Sequence, residues 1–333
     1  MKNNKKSNII KSKNKNSIQG RLVKKAEIFE SDEHKLKMKD WLIYENNSCR
    51  YDCFLTLYAF VIKPFLSKEI IEADEDLNKL NYITDLLINN PDKKYRTIFW
   101  KYIDEKGYDR IDDKVSAFGI ISCISGLFRI FNFKPNFCIG FTEDKHCTLC
   151  GYSISEKNLY QKSLLHISNE DIKLQILSNI LAYKLIDYTS SCPECYKKSG
   201  IIMNTCSSRL HDFVFPEFLS VIFEFTDLND HSIGDYQILK NNLNNIRTLY
   251  NNKLELSKVG LNYYLKAIIY RNGPMHFTIT LCKLDHEIKE LKKDVSYYHD
   301  GRKNGGFIIP IEGNVETLIT ESSIPYIMVI KIL

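Results

Sequence analysis

The amino-acid sequence predicts an α+β protein, and three observations carry that expectation. Residues 39 to about 137 hold their apolar residues in helix-like runs, two C-x-x-C pairs occupy the middle of the chain, and strand-like runs follow from Asp212 onward. With 333 residues, 44% hydrophobic and 12% aromatic, there is enough chain for one large domain or two moderate ones around a real core. Residues 1–25 carry eight Lys and one Arg with no acidic residue, so a total of +5 leaves the rest of the chain at −4. That segment is rich in Lys, Asn and Ser and has no aromatic, too little apolar surface to offset ordering entropy. Residues 1–38 therefore read as a disordered basic tail. Such a tail suits a nuclear import signal, a weak nucleic-acid contact or a plain solvated end.

The helical part follows, with the apolar run 52–65, Asn78 to Asn89 and Val115 to Phe131 as its main helices. No uncharged apolar run reaches 18 residues, since even Phe118 to Phe133 contains Arg129, which argues against a membrane span. Met1-Lys2-Asn3-Asn4-Lys5-Lys6 lacks the apolar centre of a secretory signal. The expected location is the cytoplasm, the nucleus or both, with no membrane partner.

Ten cysteines in such a compartment point away from disulfides and toward metal or catalysis. Cys147 and Cys150 form one pair, Cys192 and Cys195 the other, with 41 residues between them. Two short turns of this kind supply four thiolates to a tetrahedral zinc, and four thiolates leave no open position, so the ion would be structural. His146 and Cys206 are nearby spares, better read as surface and core. The segment between the pairs predicts a strand over Ser163 to Ile167. A helix follows, with Asn169 as N-cap and Ile172, Ile176, Ile180 and Leu181 on one face.

The strand-like runs are Val214 to Phe225, Tyr263 to Tyr270, His276 to Leu281, Val295 to Tyr298, Gly306 to Ile311 and Ile324 to Ile332, while Asn241 to Asn245 reads as surface loop or helix end. His276 opens one strand and Asp300 closes the next. An antiparallel hairpin brings both to the same end, where a carboxylate can fix the imidazole tautomer and leave the other ring nitrogen as a base. His299 and Asp294 are alternates for the orienting role. The ordinary readings, an edge histidine and an Asp-Gly turn, fit the same residues.

Cys49 lies between the polar Asn46-Asn47-Ser48 and the apolar run that begins at Cys53. With it the order becomes Cys, zinc knuckles, His, Asp, and here the chain resembles the ubiquitin-specific proteases. Four motifs carry the resemblance, over about residues 40–333. Asn47-Ser48-Cys49-Arg50-Tyr51-Asp52-Cys53 is similar to the family's Cys box G-N-T-C-Y-x-N-S. The C-x-x-C pairs match its fingers, and "VFPEFLSVIFEF" (214–225) matches the strand after them. "YYLKAIIYRNGPMHFTITL" followed by "YYHDG" is similar to its His box. The C-x-x-D-C wording is nearer to a SUMO-isopeptidase branch.

The resemblance implies a papain-like cysteine protease fold with a helical thumb (39–137), zinc-pinned β fingers (138–210) and an antiparallel β palm (211–333). It also implies a cysteine isopeptidase that removes ubiquitin or a ubiquitin-like protein from conjugates. In that reading Cys49 is the nucleophile, His276 its base and Asp300 the orienting carboxylate. A helix N-terminus and a neighbouring imidazolium would lower the thiol from its usual value of roughly 8.5.

Departures from the family pattern are Tyr44 where it has the oxyanion-donating Asn, Glu45 for Gln, Asn46 for the Cys-box Gly, and Met275 for the Gly before the catalytic His. Backbone N–H groups at the helix start, or Asn46 or Asn47, are the donors left for the oxyanion. A catalytically impaired protease fold that binds a modifier or serves as a scaffold is the alternative. A zinc-containing nucleic-acid-binding protein is a third reading, opposed by the net-acidic body and by the lack of aromatics among the tail's basic residues.

Overall fold

A computed structural model describes residues 41–43, 45, 48–89, 93–108, 124–159, 162–167, 188–202, 205–223, 254–256, 261–273, 276–288, 291–303, 306–311 and 318–332. The basic tail, the helix expected from Asn169, the 241–245 stretch and Pro274-Met275 lie outside the described residues.

The first helix, α1 (Cys49–Leu57), runs on into a π-helical turn (Tyr58–Ile62) and a 3-10 turn (Lys63–Phe65). Every residue from Cys49 to Ile62 is buried, as expected of a helix that is apolar nearly all round. Pro64 helps end it, because proline cannot donate to the next turn. Helix α2 (Lys68–Ala73) is capped by the Ser67 hydroxyl, which accepts from the Ile70 N–H at 3.3 Å. Helix α3 (Glu75–Asn89) buries Leu77, Leu80, Ile83, Thr84 and Leu87, a one-sided spacing that gives it a single core face. Helix α4 (Lys93–Lys106) inserts Phe99, Ile103 and Arg96 into the interior. Of the run expected as a helix from Val115 to Phe131, the described part is a 3-10 helix, Ser125–Phe131.

Phe54 ties these elements together, its ring centroid lying 5.5 Å from both Phe128 and Phe131 and 6.2 Å from Phe99. The aromatic chain continues from Phe131 to Phe137 (4.3 Å) and from Phe137 to Phe218 on the sheet (5.7 Å), so helices and strands share one core.

The larger sheet is built from β3 (Leu164–Ile167), β6 (Phe218–Phe223), β7 (Leu254–Leu256), β8 (Leu261–Arg271), β9 (Phe277–Leu281), β10 (Ser296–His299), β11 (Ile308–Ile311) and β12 (Ile324–Ile332). Its order is β11-β10-β9-β8-β12-β6-β3, with β7 also paired to β8; all pairs are antiparallel except β3 with β6. Strands β6 and β9 are buried at every residue, including Ser220, Thr278 and Thr280 among their apolar neighbours. Helix α1 packs on β9.

A second, four-stranded sheet, β2-β1-β5-β4, is formed by β1 (Gly140–Cys147), β2 (Ser153–Leu159), β4 (Tyr188–Ser190) and β5 (Cys206–Val214). The single strand expected over Val214 to Phe225 is therefore two. Strand β5 ends in the small sheet at Val214 and β6 begins in the large one at Phe218, with Pro216 at the corner. A residue without an N–H cannot continue the ladder, so the chain changes sheets there.

Residues 41–43 lie across the front of the body. The Trp41 indole N–H donates to Thr56 Oγ1 on α1 at 3.0 Å, and His299 on β10 holds the Leu42 carbonyl at 3.2 Å. Gly306 sits against this strap with φ of +80°, and a Cβ there would lie 2.9 Å from the Ile43 backbone nitrogen. Both the conformation and the approach therefore require glycine.

Candidate active site

Cys49 is the first residue of α1 and is 4% exposed. The packing of α1 on β9 places it against the start of that strand, where the Phe277 N–H is directed at the thiol. His276 immediately precedes Phe277 and is itself buried, and its Nε2 lies 2.9 Å from Asp300 Oδ1. The hairpin produces this pair as its alternation requires: Tyr297, Tyr298 and His299 face Leu281, Thr280 and Ile279, so Asp300 returns to the end where β9 starts. Strand β9 is fixed at that end by Asn272, whose N–H donates to the His276 carbonyl at 2.7 Å and whose side-chain amide donates to Thr278 Oγ1 at 2.6 Å.

Asp300 Oδ1 also accepts the Arg302 N–H at 3.0 Å, and Lys303 Nζ stands 3.8 Å from its other oxygen. Burial works to raise the Asp300 pKa, but the His276 hydrogen bond and charge, with the Arg302 N–H, outweigh it and hold the carboxyl below its ordinary value. Asp300 is thus a carboxylate at neutral pH. Nε2 is the ring nitrogen that faces it.

The thiol differs from expectation. Burial raises the Cys49 pKa, Asp52 adds to the rise, and the Phe277 N–H, Arg302 and Arg50 only partly offset them. The helix start does not by itself yield a thiolate here, because water is excluded and a carboxylate sits one turn further on. Cys53 is pushed well above the usual thiol range by burial, which fits a core residue.

Of the alternates, Asp294 lies at the opposite end of the hairpin, where its N–H donates to the Leu284 carbonyl at 2.8 Å. His299 is buried and holds Leu42. Burial depresses its pKa to about 4, against opposing contributions from Asp300 and the Leu42 and Gly306 backbone, so it is neutral. The unfolded chain binds this proton near 6.5, the folded chain only near 4. Stability from this group is therefore complete above pH 6.5 and is lost as pH falls toward 4, at most about 3 kcal/mol. His299→Gln should flatten the pH dependence of the urea midpoint between pH 7 and 5; an unchanged slope would refute this assignment.

Tyr44, Asn46 and Asn47 lie outside the described residues, as does Met275. Glu45 and Ser48 are described, and they enclose a feature the sequence reading missed. The Ser48 hydroxyl accepts the Glu45 N–H at 2.9 Å and donates to Asp52 Oδ2 at 2.6 Å, while the Ser48 N–H returns to the Glu45 carbonyl at 2.9 Å. Arg96 Nε on α4 stands 3.1 Å from Asp52 Oδ1 in a charge pairing too poorly aligned for a hydrogen bond, and its Nη1 lies 3.9 Å from Glu45. Burial raises the Asp52 pKa to about 7 against the pull of Arg96 and Ser48. One signal was legible: an aspartate inside an apolar helix must find a partner.

The four knuckle cysteines converge as expected. Cys147 ends β1 and Cys150 lies in the following turn; Cys192 follows β4 as the N-cap of a short helix, α5 (Pro193–Ser199), which contains Cys195. Their sulfurs all lie within 4.8 Å of one another, with Cys147 to Cys195 at 3.7 Å and Cys150 to Cys192 at 3.5 Å. A tetrahedron with Zn–S bonds of about 2.3 Å has edges of about 3.8 Å, so the cluster fits that ion. Cys206, opposite Cys147 across the β1–β5 ladder, packs beside the cluster, and His146 is exposed on β1.

No protein-family profile and no curated protein matches this chain. Solved structures do. The Saccharomyces cerevisiae apo Pan2 pseudoubiquitin hydrolase–RNA exonuclease module in complex with AAGGA RNA superposes with a TM-score of 0.53 at 12% identity, over 89% of this chain and 54% of that one. The fold is ubiquitin-hydrolase-like. The same module with A7 RNA gives 0.50 at 13% identity over the same shares. The yeast Pan2 pseudoubiquitin-hydrolase unit without its nuclease gives 0.45 at 14%, over 85% of this chain and 82% of that one. This chain spans about half the length of the two-domain modules it matches. Among the described residues, no helix is long and apolar enough to cross a membrane.

Proposed function

We propose that this chain is a cysteine isopeptidase of the ubiquitin-specific protease type, with residues 39–333 as its catalytic unit. It would hydrolyse the bond after the C-terminal glycine of ubiquitin or a ubiquitin-like modifier, in the cytoplasm or nucleus. The observation that carries the proposal is the His276–Asp300 pair at 2.9 Å, immediately beside the Phe277 N–H directed at the Cys49 thiol. His276 Nδ1 takes the thiol proton as sulfur attacks the carbonyl carbon, and the same proton leaves with the lysine amine as the thioester forms. Water, losing a proton to His276, then cleaves the thioester and regenerates the thiol. Ionised Asp300 keeps the ring oriented and stabilises its cationic form. A zinc held by Cys147, Cys150, Cys192 and Cys195 would supply rigidity and take no part in this chemistry.

Ubiquitin and SUMO carrying a C-terminal electrophile provide the test. The expected result is an adduct with one of them, mapped to Cys49 and absent from Cys49→Ala; no adduct with either contradicts the proposal. A second reading, an impaired hydrolase that binds a modifier as a scaffold, is supported by the buried, high-pKa thiol and by Tyr44 in place of the family's Asn. Modifier binding by Cys49→Ala without wild-type turnover would favour it. Two of the structural neighbours were solved with RNA, but the net charge of −4 outside the basic tail opposes phosphate binding here.

A further inference from the structure

Ser48, Asp52 and Arg96 form a buried device directly behind the nucleophile. All three are at most 4% exposed, and they come from three places: the residue before Cys49, the first turn of α1, and α4. An N-terminal serine ordinarily turns its hydroxyl to the open N–H groups of its own helix. Ser48 makes no such cap. Its hydroxyl instead closes the preceding turn by accepting from Glu45 at 2.9 Å, and donates to Asp52 at 2.6 Å. Asp52 is in turn faced by Arg96 at 3.1 Å, and Arg96 reaches the Glu45 carboxylate at 3.9 Å. Ser48 is thereby tied to α1 and Glu45 to α4.

We infer that Ser48, Asp52 and Arg96 are positioning residues that tie Glu45 and Ser48, the described residues leading into Cys49, to the helices behind them, and so hold in register the Cys49 N–H that would meet the acyl oxygen. The catalytic half of this inference rests on the acyl-transfer reading of Cys49; the tethering of Glu45 and Ser48 does not. Two observations favour a positioning role over simple core packing. A buried carboxyl in an apolar helix is costly unless it is paired, and here its hydrogen-bond donor, Ser48, is the residue immediately before the thiol. The chain also has Tyr44 where the resembling family places a side-chain donor for the oxyanion, which shifts that task toward backbone whose geometry must be held by something else.

The test compares wild type, Asp52→Asn and Ser48→Ala as full-length, zinc-loaded chains, each checked for a cooperative melt. Two quantities are read: hydrogen–deuterium exchange of the peptide spanning 43–53, and hydrolysis of ubiquitin and SUMO bearing a C-terminal amide fluorophore. Exchange over 45–49 is expected to quicken at least about tenfold in both variants, with kcat reduced about 100-fold, the scale of losing one oxyanion donor, and KM within twofold. Unchanged exchange in a folded variant overturns the inference whether or not wild type is active, and so does a rise in KM with kcat preserved. Wild type inert toward both substrates but with exchange accelerated in the variants would defeat the proposed isopeptidase activity and leave the positioning role standing. Should Asp52→Asn fail to fold because Arg96 loses its partner, Ser48→Ala, which unpairs no charge, still decides the matter.

Discussion

His276→Ala is expected to slow hydrolysis of a modifier–fluorophore amide by roughly ten-thousand-fold or more, with modifier binding retained. The size follows from the state of the thiol. Burial holds Cys49 protonated at neutral pH, so there is little pre-existing thiolate to attack unaided, and the base must take the proton within the reaction itself. Without the imidazole the leaving amine also loses its proton donor. Asp300→Asn should cost less, because an amide oxygen can still accept from Nε2 while the charge that stabilises the imidazolium is gone. The ordering is the diagnostic: His276→Ala losses no larger than those of Asp300→Asn would mean that His276 is not the base. Zinc content and melting temperature, measured on the same preparations, separate chemistry from folding.

The second large effect concerns metal. Among the described residues, the four-stranded sheet has almost no hydrocarbon interior of its own; its buried cluster is Cys147, Cys192, Cys195 and Cys206 with Tyr152 packed against them. Sulfur and zinc take the place of a core there, and zinc binding in small modules is worth roughly 10 kcal/mol or more of apparent free energy. Protein purified without chelator should contain stoichiometric zinc. Cys192→Ser, or removal of zinc by a strong chelator, should open β1, β2, β4, β5 and α5 to proteolysis while the large sheet and its helices stay folded on their shared aromatic core. Metal-free protein with the same cleavage pattern as wild type would contradict this.

What the sequence made legible follows from burial. Strand β12 is legible at Ile324 to Ile332, the bounds the structure has, because nearly all of it is buried and its apolar run is broken only at Lys331. The hairpin carrying His276 and Asp300 was readable for the same reason, with a turn signal at Asp300-Gly301. By contrast β1 and β2 read "GFTEDKHC" and "SISEKNL", and neither announces a strand, since a sheet pinned by metal need not alternate. The join between β5 and β6 is not legible because apolar residues flank Pro216-Glu217 on both sides, whereas the hydrogen-bond ladder stops there. The Ser48–Asp52–Arg96 device was hidden for another reason. Its members are ordinary polar residues up to 48 positions apart, and only packing shows that they share one space.

The bond from His299 to the Leu42 carbonyl spans 257 residues of sequence and anchors the strap that leads to Cys49. During synthesis the nucleophile's segment emerges early, while the strand that secures it and the base and carboxylate that would arm it come more than 220 residues later. A ribosome adding about 5–20 residues per second leaves an interval on the order of ten seconds or more in which the chain carries its cysteine but no assembled site. The fold thus delays its own competence: a nascent chain stalled before residue 276 should not react with a modifier probe, and labelling should begin only once residues beyond 300 have cleared the ribosome exit tunnel.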